Sequence, residues 1–348
     1  MSEAVLVVEQ LKTHFFTREG VVRAVDGVDL RVDAGQVLGL VGESGSGKSM
    51  TGYSILGLVD APGRIVAGRI MLKGVDLRTL SQVAMRDVRG NRIAMIFQDP
   101  MMSLNPVLKI ETQMIEAMTA HPAAQRKVAK TALRERACAA LARVGIASPQ
   151  ERLAAYPHQF SGGMRQRVAI AIALLNEPDV IVCDEPTTAL DVTIQGQILY
   201  EMQKLCRELR TALLWITHDL AVVAGLADRV SVMYAGRIVE SGTSAEVLET
   251  PRHPYTQGLI ASSPAAVSNS ASAAPRRSLA QIPGMPPSLA ALPKGCAFRP
   301  RCTRATEACL VEPLLTVEEG GRNYRCFHPL VTVAGPSHAS RQGKPGAP

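Results

Sequence analysis

The sequence predicts an α/β fold built around a buried, largely parallel sheet, followed by a small module rich in cysteine and proline. Up to about residue 260, short apolar runs of strand length alternate with segments of helical periodicity, as in βαβ units. Beyond residue 262 the composition changes to Ser, Ala, Pro and Asn, which marks the end of this region. A chain of 348 residues is long enough for one such domain and an appendage.

Five segments are predicted to be β-strands. They span residues 28–32, 37–41, 93–97, 180–183 and 212–217. The last three are continuous apolar runs, as expected of strands that are buried on both faces of a parallel sheet.

A mostly helical insertion is predicted between the strands at 93–97 and 180–183. Residues 126–144 place apolar side chains roughly on one helical face, and Gly145 suits a C-cap. These apolar positions are Val128, Leu133, Ala137, Leu141 and Val144. We therefore predict a domain over residues 1–260 with its helical insertion at about residues 99–178.

The remaining chain divides by composition into three parts. Residues 261–281 are a predicted linker, residues 282–330 a cysteine-rich C-terminal extension, and residues 331–348 a disordered tail. No internal repeat is evident.

Composition also limits the partners of the chain. The formal net charge is +7, but the basic residues are scattered and aromatic residues make up only 4%, which argues against a nucleic-acid partner. No apolar run approaches the ~18 residues of a membrane span, and no signal peptide is evident. Seven cysteines in a cytosolic chain argue against a disulfide framework. We expect a cytosolic protein that reaches a membrane only through partners.

A phosphate-binding loop is the most specific motif. Residues 42–49 fit G-x-x-x-x-G-K-[ST], between the strand at 37–41 and a predicted helix that begins at Lys48. Its glycines let backbone N–H groups point at phosphate oxygens, and the helix adds about half a positive charge. Lys48 can reach the β- and γ-phosphates, and Ser49 can bind Mg²⁺. The predicted nucleotide contacts here are Gly42, Ser44, Gly45, Ser46, Gly47, Lys48, Ser49 and Met50.

Two carboxylates end the strand at 180–183. Asp184 is placed to hold the Mg²⁺ shell of a P-loop ATPase, whereas Glu185 points elsewhere, toward an attacking water. The alternative is a solvated strand end, against which the preceding apolar run and the following residues 186–191 both argue.

A second glycine turn opens a helix about 115 residues after the P-loop and cannot serve the same nucleotide. It contains Ser161, Gly162 and Gly163. Together with the P-loop and the two carboxylates, in this order, it resembles the ATPase subunit of an ABC transporter. The resemblance implies a P-loop ABC ATPase domain with a mixed sheet core and a helical subdomain. It also implies an ATP molecule sandwiched between the P-loop of one subunit and the Ser-Gly-Gly turn of another.

Further residues match this family one by one. Gln98 matches the Q-loop glutamine, which senses Mg²⁺ and faces the membrane subunits; Asp191 matches the D-loop; and His218 matches the switch histidine that contacts the γ-phosphate. Met164 replaces the glutamine that is commonest in the signature, as in peptide-importer ATPases. The resemblance implies catalytic roles for Glu185, His218, Lys48 and Gln98, and Mg²⁺ binding by Ser49, Gln98 and Asp184.

An aromatic side chain that stacks on adenine is expected before the P-loop. Phe15 and Phe16 are both candidates, and strand parity alone does not choose between them. Either ring can instead belong to the core. We favour Phe16.

Four short sequence segments indicate which group of ABC transporter ATPases the chain resembles. Residues 97–106, 253–259, 282–287 and 293–296 look like ATPases of the dipeptide, oligopeptide and nickel importers, with most likeness to those of dipeptide importers. This implies a second, different ATPase subunit, two membrane-spanning permease subunits and, indirectly, an extracytoplasmic solute-binding protein. It also implies a place on the cytoplasmic face of the inner membrane.

The sequence leaves three alternatives open. The solute is a peptide, or it is nickel, glutathione or another small solute. A soluble regulatory or repair ABC ATPase would use the same dimer. A metal-sensing module with a vestigial ATPase is disfavoured by the intact set of Lys48, Asp184, Glu185 and His218.

Four cysteines cluster in the extension with the spacing C-x5-C-x6-C-x16-C. They are Cys296, Cys302, Cys309 and Cys326. Four thiolates can hold zinc or an iron–sulfur cluster, and the absence of C-x2-C pairs argues against a zinc ribbon. The family resemblance favours a 4Fe–4S cluster, with zinc, reduced thiols and disulfides as the alternatives. A metal would supply folding energy to this loop-rich module.

Overall fold

The computed structural model of the chain describes residues 3–99, 101, 103–121, 128–187, 192–263 and 281–330. Its strands are β1 (Ala4–Thr17), β2 (Gly20–Asp33), β3 (Val37–Val41), β4 (Gly63–Leu72), β5 (Val75–Asp76), β6 (Ile93–Ile96), β7 (Val180–Asp184), β8 (Ala212–Thr217), β9 (Arg229–Tyr234), β10 (Arg237–Thr243), β11 (Thr316–Val317) and β12 (Asn323–Tyr324). Its α-helices are α1 (Lys48–Ile55), α2 (Gln82–Val88), α3 (Ile110–Thr119), α4 (Lys130–Arg143), α5 (Pro149–Leu153), α6 (Gly162–Leu174), α7 (Val192–Leu209), α8 (Leu220–Leu226), α9 (Ser244–Glu249) and α10 (Pro254–Ser262).

The described strands form two sheets. An antiparallel sheet has the order β2-β1-β4-β5, and a mixed sheet has the order β11-β12-β10-β9-β3-β8-β7-β6. In the mixed sheet, β9, β3, β8, β7 and β6 are parallel, and β10, β12 and β11 continue it in antiparallel pairing. The predicted α/β fold with a mixed sheet is confirmed.

The strand predicted at 28–32 is the end of a longer strand in the antiparallel sheet. Within β2, buried Val28, Leu30 and Val32 alternate with exposed Asp29 and Arg31. This alternation is typical of a sheet that buries one face only. The strand predicted at 93–97 ends one residue earlier, as β6.

The centre of the mixed sheet is formed by β3, β8 and β7. All the residues of these three strands are buried. Trp215 on β8 is 1% exposed and lies in register with Gly39 on one side and Cys183 on the other. The carboxyl ends of the parallel strands therefore meet at one edge of the sheet, where Val41, Asp184 and Thr217 end their strands.

Helices α3, α4, α5 and α6 lie between β6 and β7 in the chain. The helix predicted at 126–144 is observed as α4, with Ala137 and Leu141 buried and Gly145 in the left-handed conformation after it, at φ 74°. Val128, in contrast, precedes the helix and is exposed. The start of the predicted helix, at residues 126 and 127, lies outside the described residues.

Residues 281–330 pack against the mixed sheet. β12 pairs with β10, and Phe298 joins the apolar cluster that contains Tyr234 and Tyr255. Most of the predicted linker (264–280) and the predicted tail (331–348) lie outside the described residues. Across the part of the chain that is described, no helix combines the length and apolar character that crossing a lipid bilayer requires.

Candidate nucleotide site

The P-loop connects β3 to α1 through glycines that no other residue could replace. Gly42 and Gly47 have φ angles of 155° and 106°. A Cβ atom on Gly42 would lie 2.2 Å from the carbonyl oxygen of Met233, and one on Gly47 would lie 2.1 Å from that of Ala24. The loop is therefore held close to β2 and β9 by backbone contacts that require glycine.

Lys48 lies inside this loop. Its Nζ donates to the carbonyl oxygens of Gly42, at 2.8 Å, and Glu43, at 2.9 Å. Burial lowers the pKa of Lys48, and the nearby carboxylates of Glu185, Asp184 and Glu43 act in the opposite direction. The ammonium group of Lys48 thus lies among the backbone groups that bind phosphate in this motif.

Ser49 and Asp184 form an oxygen-donor pair at the end of β7. Ser49 Oγ donates to Asp184 Oδ1 at 2.8 Å. Burial raises the pKa of Asp184, as does Glu185, whereas the Ser49 hydrogen bond and Lys48 lower it. A hydroxyl beside a carboxylate fits Mg²⁺, which prefers oxygen ligands. Nearby, Ser46 Oγ is buried and has no partner among the described residues, as suits an atom that faces a phosphate oxygen.

Glu185 is in contact with two other predicted catalytic residues. Its carboxylate accepts from Gln98 Nε2 at 3.3 Å and lies 3.0 Å from His218 Nδ1. Its backbone has a φ of 44°, and its N–H donates to the carbonyl oxygen of Ile216 at 2.9 Å. At the end of β7, Asp184 contacts Ser49, and the next residue, Glu185, contacts Gln98 and His218. Gln98 follows β6, and His218 follows β8.

The Ser-Gly-Gly turn belongs to a different part of the chain. Ser161 caps α6, and its Oγ accepts from Met164 N at 3.3 Å. A Cβ atom on Gly162 would meet nothing within 4 Å, so the N-terminus of α6 is open. Helix α6 packs against α3, α4 and β6, whereas α1 packs against β1, β2, β7 and β8.

The two candidate aromatic residues differ in their surroundings. Phe16 is 39% exposed, and the guanidinium of Arg64 lies 4.1 Å from its ring centroid. The ring of Phe15 packs close to Gly63, where an added Cβ would lie 2.6 Å from it. Phe16 thus has the more accessible ring. Asp191, the predicted D-loop residue, lies outside the described residues.

The prediction of a metal site at the C-terminal cysteines is wrong. Among the described residues, no group of three or more His, Cys, Asp or Glu side chains could hold a metal ion. Cys296, Cys302, Cys309 and Cys326 are free thiols. Burial raises the pKa of three of these thiols, that of Cys326 to about 11. Neither the 4Fe–4S cluster nor zinc is retained.

Two residues near the P-loop were not predicted. Tyr255 accepts a hydrogen bond from the backbone N–H of Glu43, and Arg301 forms an ion pair with its carboxylate. The signal in the sequence was Glu43 itself, an acid within a loop that binds anions, but no local pattern identifies its partners.

Models of two protein families match the chain. One is described as "ABC transporter" and matches residues 25–188. The other is described as "Oligopeptide/dipeptide transporter, C-terminal region" and matches residues 239–309. The first match contains the P-loop, Gln98, the Ser-Gly-Gly turn and both carboxylates, and the second contains Tyr255 and Arg301.

Similar proteins span nearly the whole chain. The dipeptide transport ATP-binding protein DppD of Escherichia coli (strain K12) is 44% identical over 335 residues, which are 96% of this chain and 99% of DppD. The oligopeptide transport ATP-binding protein OppD of Haemophilus influenzae is 45% identical over 322 residues, or 92% of this chain and 96% of OppD. Neither name mentions an iron–sulfur cluster.

A solved structure shares the fold. The ATP-binding cassette MJ0796, described as a dimeric post-hydrolysis state bound to ADP and Pi, matches with a TM-score of 0.62 and 25% sequence identity. The match covers 69% of this chain and 98% of MJ0796.

Proposed function

Because the chain belongs to the family of ABC transporter ATP-binding subunits, in the branch of the dipeptide and oligopeptide transporters, we propose that it is the motor of a peptide importer. As a member of this family it is an ATPase whose hydrolysis of ATP is coupled to transport. Dipeptides or oligopeptides are the proposed cargo, since DppD and OppD are named for these solutes.

The contact of Glu185 with both Gln98 and His218, beside the Ser49–Asp184 pair, is the observation that carries the proposed chemistry. These side chains come from the ends of neighbouring parallel strands and from the first turn of α1. They surround the place where the γ-phosphate would lie next to the P-loop.

The residues of the site have different roles in ATP hydrolysis. The glycine loop and Lys48 bind and orient the phosphates. Ser49, Asp184 and Gln98 would hold Mg²⁺, which when bound neutralises phosphate charge. Glu185 orients the attacking water and accepts its proton, and His218 stabilises the charge that develops on the γ-phosphate. Phe16 stacks on the adenine.

The Ser-Gly-Gly turn is proposed to act on the ATP of a second subunit. It lies at the start of α6, which packs against α3, α4 and β6, whereas the P-loop precedes α1, which packs against β1, β2, β7 and β8. Two cassettes that face each other would bring Ser161, Gly162 and Gly163 of each to the P-loop of the other. Asp191 is proposed to lie at this interface. The solved dimer of MJ0796 supports this arrangement.

Membership in this family implies permease subunits in the membrane. We propose a pair of permeases, a second, different ATPase subunit, and a solute-binding protein on the far side of the membrane. The chain would then lie at the cytoplasmic face of the inner membrane. Residues 282–330 are proposed to be a C-terminal module of the cassette, supported by the β12–β10 pairing and by the packing of Phe298.

The pairing proposal is tested with Glu185→Gln, which should bind ATP without consuming it. We expect this variant to stay monomeric with ATP and Mg²⁺ in size-exclusion chromatography when alone, and to dimerise when the second ATPase is added. Dimerisation of the variant alone would contradict the heterodimer.

The peptide proposal is tested on the complex purified with its permeases and placed in lipid vesicles. ATP hydrolysis should rise when the solute-binding protein is added together with a dipeptide mixture, and the Glu185→Gln complex should show no rise. Stimulation by nickel or glutathione, without any response to peptides, would instead assign one of those cargoes.

A further inference from the structure

An acidic side chain lies within the P-loop and is neutralised by a distant arginine. The carboxylate of Glu43 is bound by both terminal nitrogens of Arg301, with Nη1–Oε2 at 2.6 Å and Nη2–Oε1 at 2.9 Å. The side chain of Arg301 is 4% exposed and that of Glu43 is 25% exposed. This buried, bidentate geometry is the strong form of an arginine–carboxylate ion pair.

Arg301 is itself fixed by its surroundings. Its Nε donates to the carbonyl oxygen of Pro283 at 2.9 Å, and its guanidinium lies 5.9 Å from the ring centroids of Tyr234 and Phe298. Since the planar guanidinium already has these contacts, it presents a preformed fork to Glu43. Arg301 is therefore a fixed part of the C-terminal segment (residues 281–330) and is not a mobile surface cation.

The backbone of Glu43 is anchored as well. Its N–H donates to the hydroxyl oxygen of Tyr255 at 2.8 Å. Tyr255 lies in α10, is fully buried, and packs against Tyr234 and Phe298 at centroid distances of 4.5 and 5.3 Å. Both Tyr255 and Arg301 fall in the region that matches the peptide-transporter C-terminal family model, outside the part that matches the general ABC transporter model.

These contacts continue to the phosphate-binding lysine. The carbonyl oxygen of Glu43 accepts from Lys48 Nζ at 2.9 Å, and the carboxylate of Glu43 acts electrostatically on the same ammonium group. An uncompensated carboxylate here would repel the triphosphate and attract Lys48 away from it. Arg301 weakens both effects, because its positive charge opposes that of the carboxylate and its guanidinium holds the carboxylate on the side of the C-terminal segment.

We propose that Arg301 and Tyr255 are positioning residues of the nucleotide site: they fix and neutralise Glu43, so that the affinity of the P-loop for ATP depends on the C-terminal segment. The inference rests on the proposed role of the P-loop in binding ATP. Segments 253–259 and 282–301 would then contribute to nucleotide binding. They would act through Glu43, without contacting the nucleotide.

The test is a double-mutant cycle between Glu43 and Arg301, with affinity for a fluorescent N-methylanthraniloyl-ATP as the main readout. We expect Arg301→Gln to raise the Kd about tenfold, because it leaves a bare carboxylate in the loop. Adding Glu43→Gln to this variant should bring the Kd back to within about threefold of the wild-type value. Arg304→Gln removes an exposed arginine three residues after Arg301 and should leave the Kd unchanged.

Two conservative variants separate positioning from simple folding. Tyr255→Phe deletes only the hydroxyl that Glu43 contacts and should raise the Kd about threefold, with its thermal midpoint close to that of the wild type. Arg301→Lys keeps the charge but loses the fork, and its Kd should fall between those of the wild type and Arg301→Gln. In the complex with the second ATPase, the KM for ATP of Tyr255→Phe and Arg301→Lys should change by a larger factor than kcat, since the change is in binding.

The outcomes are distinguishable. A folded Arg301→Gln protein with the wild-type Kd, or one that Glu43→Gln does not restore, would overturn the inference. If Arg301→Gln fails to fold, Tyr255→Phe and Arg301→Lys decide, and a wild-type Kd in both overturns it equally. Failure of the wild-type protein to bind the nucleotide would instead overturn the proposed function itself.

Discussion

The imidazole of His218 lies 3.0 Å from the carboxylate of Glu185, measured from Nδ1 to Oε1. The two residues follow neighbouring parallel strands, β8 and β7, which set this distance through their register. Glu185 is thus oriented by a partner that is itself a candidate for phosphate contact, and the pair can respond together to the γ-phosphate.

Glu185→Gln should keep ATP binding but abolish turnover. The amide retains the size and a hydrogen-bonding oxygen but cannot accept a proton, so kcat should fall by about 10²–10⁴-fold. The Kd for ATP should change by less than about threefold. Steady-state phosphate release and equilibrium nucleotide binding measure the two quantities, and near-normal hydrolysis would remove Glu185 as the catalyst.

Phe16→Ala should weaken ATP binding if the ring stacks on adenine. Stacking of an aromatic ring on a base is worth about 1–3 kcal/mol, or roughly a 5- to 150-fold rise in Kd. Phe15→Leu is the matched control, because the ring of Phe15 packs on Gly63. Larger loss of affinity in Phe15→Leu than in Phe16→Ala would reverse the assignment.

His253 should make the fold sensitive to acid. Burial lowers its pKa from 6.5 to about 4, so the neutral ring stabilises the folded chain fully above pH 6.5. This stabilisation is lost as the pH falls from 6.5 through about 4, because unfolding then takes up a proton. The shift predicts a loss of about 2 kcal/mol of unfolding free energy between pH 7 and pH 5.

The matched variant for this prediction is His253→Asn. His253 Nδ1 caps α10 by accepting from Tyr255 N at 3.1 Å, and asparagine can cap in the same way without titrating. Urea unfolding at pH 7 and pH 5 should show a smaller loss in the variant than in the wild type. An equal loss in both proteins would assign the acid sensitivity to other groups.

Arg322→Met should destabilise the protein by about 3–5 kcal/mol, because it leaves a buried carboxylate without its cation. Glu240 is fully buried and accepts from Arg322 Nη2 at 2.8 Å. Arg69→Met is the control, since Arg69 pairs with Glu9 at 3.0 Å on the surface, where such pairs contribute less than about 1 kcal/mol. Equal thermal midpoints for the two variants would contradict the prediction.

Much of the nucleotide site could be predicted because its residues stand at fixed places relative to strand ends. Lys48, Asp184, Glu185 and His218 each follow an apolar run, and parallel strands bring such ends together. The ion pair between Glu43 and Arg301 could not be predicted in this way, since 258 residues separate the partners and no local pattern pairs distant charges.

Two other features show the limits of local pattern. The alternation in residues 28–32 was visible in the sequence, but its pairing with β1 in a separate antiparallel sheet was not. The metal prediction was wrong because cysteine spacing does not distinguish four metal ligands from four free thiols, and the described cysteines are free. In the structure, the extension is fixed by other contacts: the packing of Phe298 and the ion pairs of Arg301 and Arg322.

The position of Trp215 makes the centre of the cassette observable by fluorescence. It is the only tryptophan in the 348 residues, so tryptophan emission comes from one point between the P-loop strand β3 and the Asp184 strand β7. Emission should be that of an apolar environment in the native protein and should shift to the red only when the sheet opens. A spectral change on adding ATP would therefore report movement transmitted through β3 or β7 into the interior.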